Sequence, residues 1–147
     1  MENGAHIRLV LWKAAKAVER VDRASITAAG PGLTDFEIME ALLHKGPMLI
    51  SEVGAKVLLS SGSMTAAINR LETAGLVRRR RDVADGRCFH VHLTASGRAL
   101  IQRAFRQHAK TLDDMAAVLS TDEQRELVRL LKKLGRHAEA MAVRGAD

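Results

Sequence analysis

The chain has 147 residues, a formal charge of +6 and a pI near 10.1, which is enough length for one substantial core and a basic balance that favours an anionic partner. No apolar run approaches the roughly 20 residues a bilayer requires, the start MENGAHIRLVLW lacks a secretory cleavage site, and the single Cys88 permits no internal disulfide; a cytoplasmic protein is expected. Aromatic residues make up 3% with no tyrosine, so stacking platforms for single strands are missing and double-stranded DNA is the fitting polyanion.

From about Ala5 to Ala28 the pattern is a long helix, with Leu11, Trp12, Ala15, Val18 and Val21 on one broad side. Ile7, Leu9 and Val10 extend its apolar surface almost around the first half, more than one small protomer can cover. Gly30, Pro31 and Gly32 break the chain. Thr34 or Asp35 then caps a helix that turns Phe36, Met39, Leu42 and Leu43 inward and stops by Pro47. Met48 to Ile50 offers a short third strand, and Ser51 opens the next helix.

A second short helix begins at Ser60 or Ser61 and ends at Gly75, since serine caps free N–H groups and glycine accepts the left-handed position after a helix. Met64, Ile68 and Leu71 share its inner face, which leaves Ser61, Ser63, Thr65, Ala66, Asn69 and Arg70 outside. Val77 opens a strand through Arg78 to Arg81, Asp82 to Gly86 form a polar turn, and Phe89, Val91 and Leu93 alternate inward along the return strand. A helix pair with a tight link, followed by a basic hairpin, is a shape that reads duplex DNA. Beyond Thr94 a helix of about 25 residues carries Leu100, Ile101, Ala104, Phe105 and His108, and a last helix starts at Ser120 or Thr121 with Leu127, Leu130, Leu131 and Leu134 on its face.

The run from Ser60 to Thr94 resembles the recognition helix and wing of the MarR (multiple antibiotic resistance regulator) family of winged helix-turn-helix regulators. The residues that carry the likeness are Asp82, Asp85, Arg87, Val91, Leu93 and Thr94. The block LTDFEIMEALLHKGPMLISEVGAKVLLSSGSMTAAINRLE resembles a quinone-responsive subgroup. The expected fold is therefore mostly α with a small antiparallel β-wing, dimeric through its N- and C-terminal helices. By role it divides into a dimerisation helix (1–32), a DNA-binding lobe (33–95) and C-terminal dimerisation helices (96–147). The resemblance implies a homodimer that places two reading helices about one duplex turn, roughly 34 Å, apart on a near-palindromic operator.

On the reading helix the candidates for DNA contact are Ser61, Ser63, Thr65, Asn69 and Arg70. Arg70 suits a phosphate better than a base, and Ser60 or Ser61 also has the simpler role of capping. Ala66 departs from the family, where arginine is common, which shifts the expected readout toward the wing and DNA shape. On the wing, Arg79, Arg81, Asp85 and Arg87 are the candidates; strand alternation lets only about half of the Arg78 to Arg81 run face one way. Asp85 is expected to steady the stem of Arg87, whose guanidinium suits a narrow minor groove; the plainer reading is a solvated turn.

The resemblance also implies a pocket for a small aromatic, phenolic or quinone-like effector, with His6, Trp12, Phe36, Met39 and His108 as its wall, although Trp12, Phe36 and Met39 serve equally as core. Cys88, His90 and His92 form C-x-H-x-H on one strand face. Residues two apart lie roughly 6.5 to 7 Å from one another, so one zinc ion reaches His90 and His92 but hardly all three, and no metal or cofactor is predicted. A metal- or thiol-responsive sensor using these residues remains the alternative, with neighbouring arginines favouring the thiolate of Cys88, and an architectural DNA-binding protein without effector is a third. No phosphate-binding glycine loop, G-x-S-x-G, H-E-x-x-H or C-x-x-C occurs, so no enzyme is expected.

Overall fold

The computed structural model describes residues 3–57 and 61–145, apart from the side chain at 61. Helix α1 (Gly4–Ala28) is followed by α2 (Leu33–Lys45), strand β1 (Met48–Leu49), α3 (Ile50–Val57) and α4 (Ser61–Thr73). Strands β2 (Val77–Arg81) and β3 (Phe89–Leu93) come next, and helices α5 (Ala95–Ala116) and α6 (Thr121–Arg144) complete the chain. Contacts group these elements into one compact unit through Lys110 and another from Thr111 onward.

In the first unit, α2, α4 and α5 bury the side that their apolar spacing predicts, whereas Leu11, Trp12 and Val18 of α1 stay exposed and only its end, at Ser25 and Ile26, is buried. Phe36, Ile38, Met39 and Leu42 of α2 meet Val53 of α3 and Met64, Ala67, Ile68 and Leu71 of α4 in a single core. Val77 and Val91 close it from the sheet, and Ile101 and Ala104 of α5 and Ile26 of α1 complete it. The described strands form one antiparallel sheet in the order β1-β3-β2, with Met48 opposite Val91 and Val77 opposite Leu93. The short strand expected at 48 to 50 is present, but Ile50 already belongs to α3.

Local signals set most ends. Asn3 caps α1 by accepting the His6 N–H at 2.9 Å. Ser120 and Glu123 form a reciprocal capping box at the start of α6, which satisfies two free N–H groups at once. The expectation that Thr34 or Asp35 caps α2 is corrected: the cap is Gly32, in extended backbone and without a side-chain bond. Glycine is nearly as good as a polar cap, and Asp35 falls inside the first turn, where its charge suits the positive helix end. Helix α4 ends in a two-bond reversal, Gly75 N–H to Glu72 C=O at 2.9 Å and Leu76 N–H to Leu71 C=O at 2.9 Å, with Gly75 at φ +72°.

That reversal is tied to α5 through Thr94. Its hydroxyl donates to the Gly75 carbonyl at 2.6 Å and accepts the Gly97 N–H at 3.0 Å, while its N–H reaches the Leu76 carbonyl at 3.1 Å. Gly97 is buried against the Leu76 backbone so closely that a Cβ there would stand 1.9 Å from the Leu76 oxygen. The residues that leave the reading helix and those that leave the wing therefore share one junction.

Apolar side chains remain outside. On α1, Ile7, Val10, Leu11 and Trp12 are exposed, Trp12 by 55%. Among the described residues α6 buries none, although Leu127, Leu130, Leu131 and Leu134 lie on it. No helix in the described residues is long and apolar enough to cross a membrane.

Candidate nucleic-acid interface

Helix α4 turns Met64, Ala67, Ile68 and Leu71 into the core, so Ser63, Thr65, Asn69 and Arg70 lie on its exposed side. Ser60 and the Ser61 side chain lie outside the described residues. Arg70 is exposed but tethered: both its Nε and Nη2 donate to the Asp35 carboxylate of α2. These hydrogen bonds, then the charge attraction, raise the guanidinium pKa.

Arg79 holds the wing to the reading helix. Its Nη1 donates to Glu72 Oε1 at 2.6 Å, its backbone N–H donates to Glu72 Oε2 at 2.9 Å, and its Nη2 donates to Asn69 Oδ1 at 2.6 Å. The backbone bond, followed by the guanidinium contact, holds the Glu72 carboxyl below the usual carboxylate range. Arg81 stays within the hairpin, donating to the Gly86 carbonyl at 2.8 Å with its guanidinium 5.3 Å above the Phe89 ring.

The wing turn is built on two aspartates. Asp82 accepts the N–H groups of Ala84 and Asp85 at 2.7 and 2.8 Å, and Asp85 accepts the Arg87 N–H at 3.0 Å. Those backbone bonds are the leading cause of the lowered pKa of each carboxyl, so the turn stays anionic on its inner side. Asp85 also receives Arg87 Nε at 3.2 Å, while the Arg87 side chain is 92% exposed. A cation is thus presented at the tip with its stem held.

The other face of the sheet pairs Arg78 with His92 and Arg80 with His90 across the strands. His90 Nδ1 lies 3.3 Å from Asp82 Oδ2. Burial, then Arg80, Arg78 and His90, lowers the His92 pKa. Cys88 closes the hairpin rather than lying in β3, and its thiol faces Asp85 Oδ2 at 3.6 Å. The expectation that arginines make it a thiolate is corrected: the Asp85 charge, then burial, pushes the thiol up. Among the described residues no group of three or more His, Cys, Asp or Glu is arranged to hold a metal.

Of the effector-wall candidates, Phe36 and Met39 are fully buried and His108 is 5% exposed. The His108 ring stands edge-on to Phe36 at 5.2 Å, with Nδ1 on Ser25 Oγ and Nε2 3.3 Å from Asp22 Oδ1. His6 and Trp12 lie on the exposed part of α1 instead. The sequence reading missed Glu72, which holds Arg79, and gave Asp35 only a capping role, although it holds Arg70. Glu72 and Arg79 flank the Gly75 reversal, a local cue; Asp35 is 35 positions from Arg70 and offered none.

Two helices in short succession, the second exposing a polar side beside a hairpin with an arginine at its tip, define a winged helix-turn-helix DNA-binding protein. The comparisons place it further. The MarR family model matches residues 33–89. The chain is 31% identical to the uncharacterized HTH-type transcriptional regulator YkoM of Bacillus subtilis, over 98% of this chain and 94% of that protein. It is 31% identical to the HTH-type transcriptional regulator MhqR of the same organism, over 94% and 95%. A MarR family protein from Bacillus stearothermophilus shares the fold at TM-score 0.78 and 22% identity, covering 95% of this chain and 99% of that one. The crystal structure of NadR in complex with 4-hydroxyphenylacetate superposes at TM-score 0.72 and 25% identity, over 91% and 95%. The chain belongs to the MarR family: it is a DNA-binding transcriptional regulator and not an enzyme.

Proposed function

We propose that this regulator is a repressor that binds a near-palindromic operator as a homodimer and leaves it when a small aromatic, phenolic or quinone-like molecule binds. The observation that carries the DNA reading is the Arg87 guanidinium, held at its stem by Asp85 yet 92% exposed, at the end of a wing clamped to α4 by Arg79. On that reading Ser61, Ser63, Thr65, Asn69 and Arg70 meet the major groove and its phosphates, and Arg87 enters the minor groove. Arg79 and Arg81 serve by fixing the wing that carries it.

The exposed apolar sides of α1 and α6 support the dimer, since a second copy is the simplest cover for a stripe repeated on both. The effector reading rests on the 4-hydroxyphenylacetate in the NadR structure and on the buried Phe36, Met39 and His108; His6 and Trp12, on the exposed part of α1, are proposed as the remainder of the wall. Release requires the ligand to favour the non-binding form by several kcal/mol, since equal affinity for both forms shifts nothing.

Footprinting on the DNA flanking the gene, followed by fluorescence anisotropy on the protected duplex and on a random duplex at matched salt, tests this. A protected two-fold site bound at least a hundredfold above random DNA, with affinity falling steeply between about 50 and 200 mM salt, is expected. Equal binding to random duplex makes the protein architectural, and a flat salt response removes phosphate neutralisation. Trp12 is the single tryptophan, so its emission should change with any aromatic acid or quinone that releases DNA.

A further inference from the structure

A guanidinium carries donors and no acceptor, so the Asn69 atom 2.6 Å from Arg79 Nη2 is the amide oxygen, and the orientation of that amide follows from chemistry. Arg79 in turn donates to Glu72 twice, from Nη1 at 2.6 Å and from its backbone N–H at 2.9 Å, and its side chain is only 21% exposed. Asn69 lies on the exposed side of α4, so its NH2 is the end left to a groove. An asparagine that reads adenine presents its oxygen to N6 and its nitrogen to N7 together. Here the oxygen keeps a second lone pair, but a base donor reaching it would sit beside the guanidinium charge. An acceptor is drawn to the same place.

We infer that Arg79, braced by Glu72, is a positioning residue that turns Asn69 into a donor-only reader selecting the acceptor edge of guanine, O6 and N7, in preference to adenine. This rests on the DNA-reading surface proposed above. It assigns a base preference to one residue and a role to two others that do not touch DNA. The Glu72–Arg79–Asn69 chain spans the Gly75 reversal, so the same contacts that clamp the wing also set the donor pattern of the helix.

The test is selection of binding sites from a randomised duplex pool by the full chain and three variants. Asn69→Ala locates the base pair that Asn69 reads, as the position whose preference disappears. There the natural chain should favour guanine over adenine by about tenfold. Asn69→Asp keeps an oxygen for Arg79 and replaces the NH2 with a second acceptor, so the preferred base at that position should change to one presenting a donor, such as cytosine through N4. Arg79→Met frees the amide and should admit adenine there. A natural chain that prefers adenine, an Asn69→Ala profile identical to it, or an Asn69→Asp variant that still selects guanine would each overturn the inference. Should Arg79→Met fail to fold, the surface substitution Asn69→Asp decides alone. A natural chain that enriches no site would overturn the underlying DNA reading as well, and so is distinguished from failure of the base assignment.

Discussion

Replacing Gly97 with alanine sets two effects of opposite sign against each other. Glycine-to-alanine inside a helix ordinarily stabilises by up to about 1 kcal/mol, because less backbone entropy is lost. Here the new Cβ would stand 1.9 Å from the Leu76 oxygen and 2.8 Å from its carbonyl carbon, so the backbones must separate by about 1.5 Å to reach ordinary contact. Both sides are anchored by Thr94, through its bonds at 2.6 Å to the Gly75 carbonyl and 3.1 Å to the Leu76 carbonyl. Losing these costs about 0.5 to 1.5 kcal/mol each, and forcing a packed site apart adds about 1 to 3 kcal/mol. The net expectation is a loss of about 1 to 5 kcal/mol. Urea unfolding followed by helical circular dichroism, at one protein concentration, should show the midpoint lowered by about 0.5 to 2.5 M. An unchanged or raised midpoint would mean that propensity rules and that the junction between the reading helix, the wing and α5 is looser than described.

Arg87→Ala should weaken operator binding about tenfold or more per site in fluorescence anisotropy, and unaltered affinity would take the wing tip out of recognition. Because Asp85 pushes the Cys88 thiol up, alkylation by iodoacetamide should rise at a higher pH than for a free cysteine, and Asp85→Asn should move the profile back down. The folded chain then holds that proton more tightly than the unfolded one, so the contribution of this group to stability falls as pH rises past the ordinary thiol value. A Cys88 that reacts readily at neutral pH would refute the geometry and revive the thiol-sensor reading. Leu131→Glu on α6 should give a monomer in sedimentation at low micromolar protein, and a persisting dimer would move the interface elsewhere.

The order of helices and strands was legible in the chain because it rests on neighbours in sequence: apolar residues every three or four positions, Ser120 with Glu123, Gly75 after α4, and the alternation of Phe89, Val91 and Leu93. The inward faces of α2 and α4 followed from the same periodicity. Asp82, Asp85 and Arg87 could be set on one turn for the same reason, as bonds between residues two and three apart need no distant partner. What the folded arrangement alone decided are the pairings between elements. Asp35 on Arg70 and Asn69 on Arg79 depend on where whole helices and strands come to rest. Burial of one apolar core fixes those positions, and a charged side chain then takes the nearest complementary group, whatever its distance along the chain.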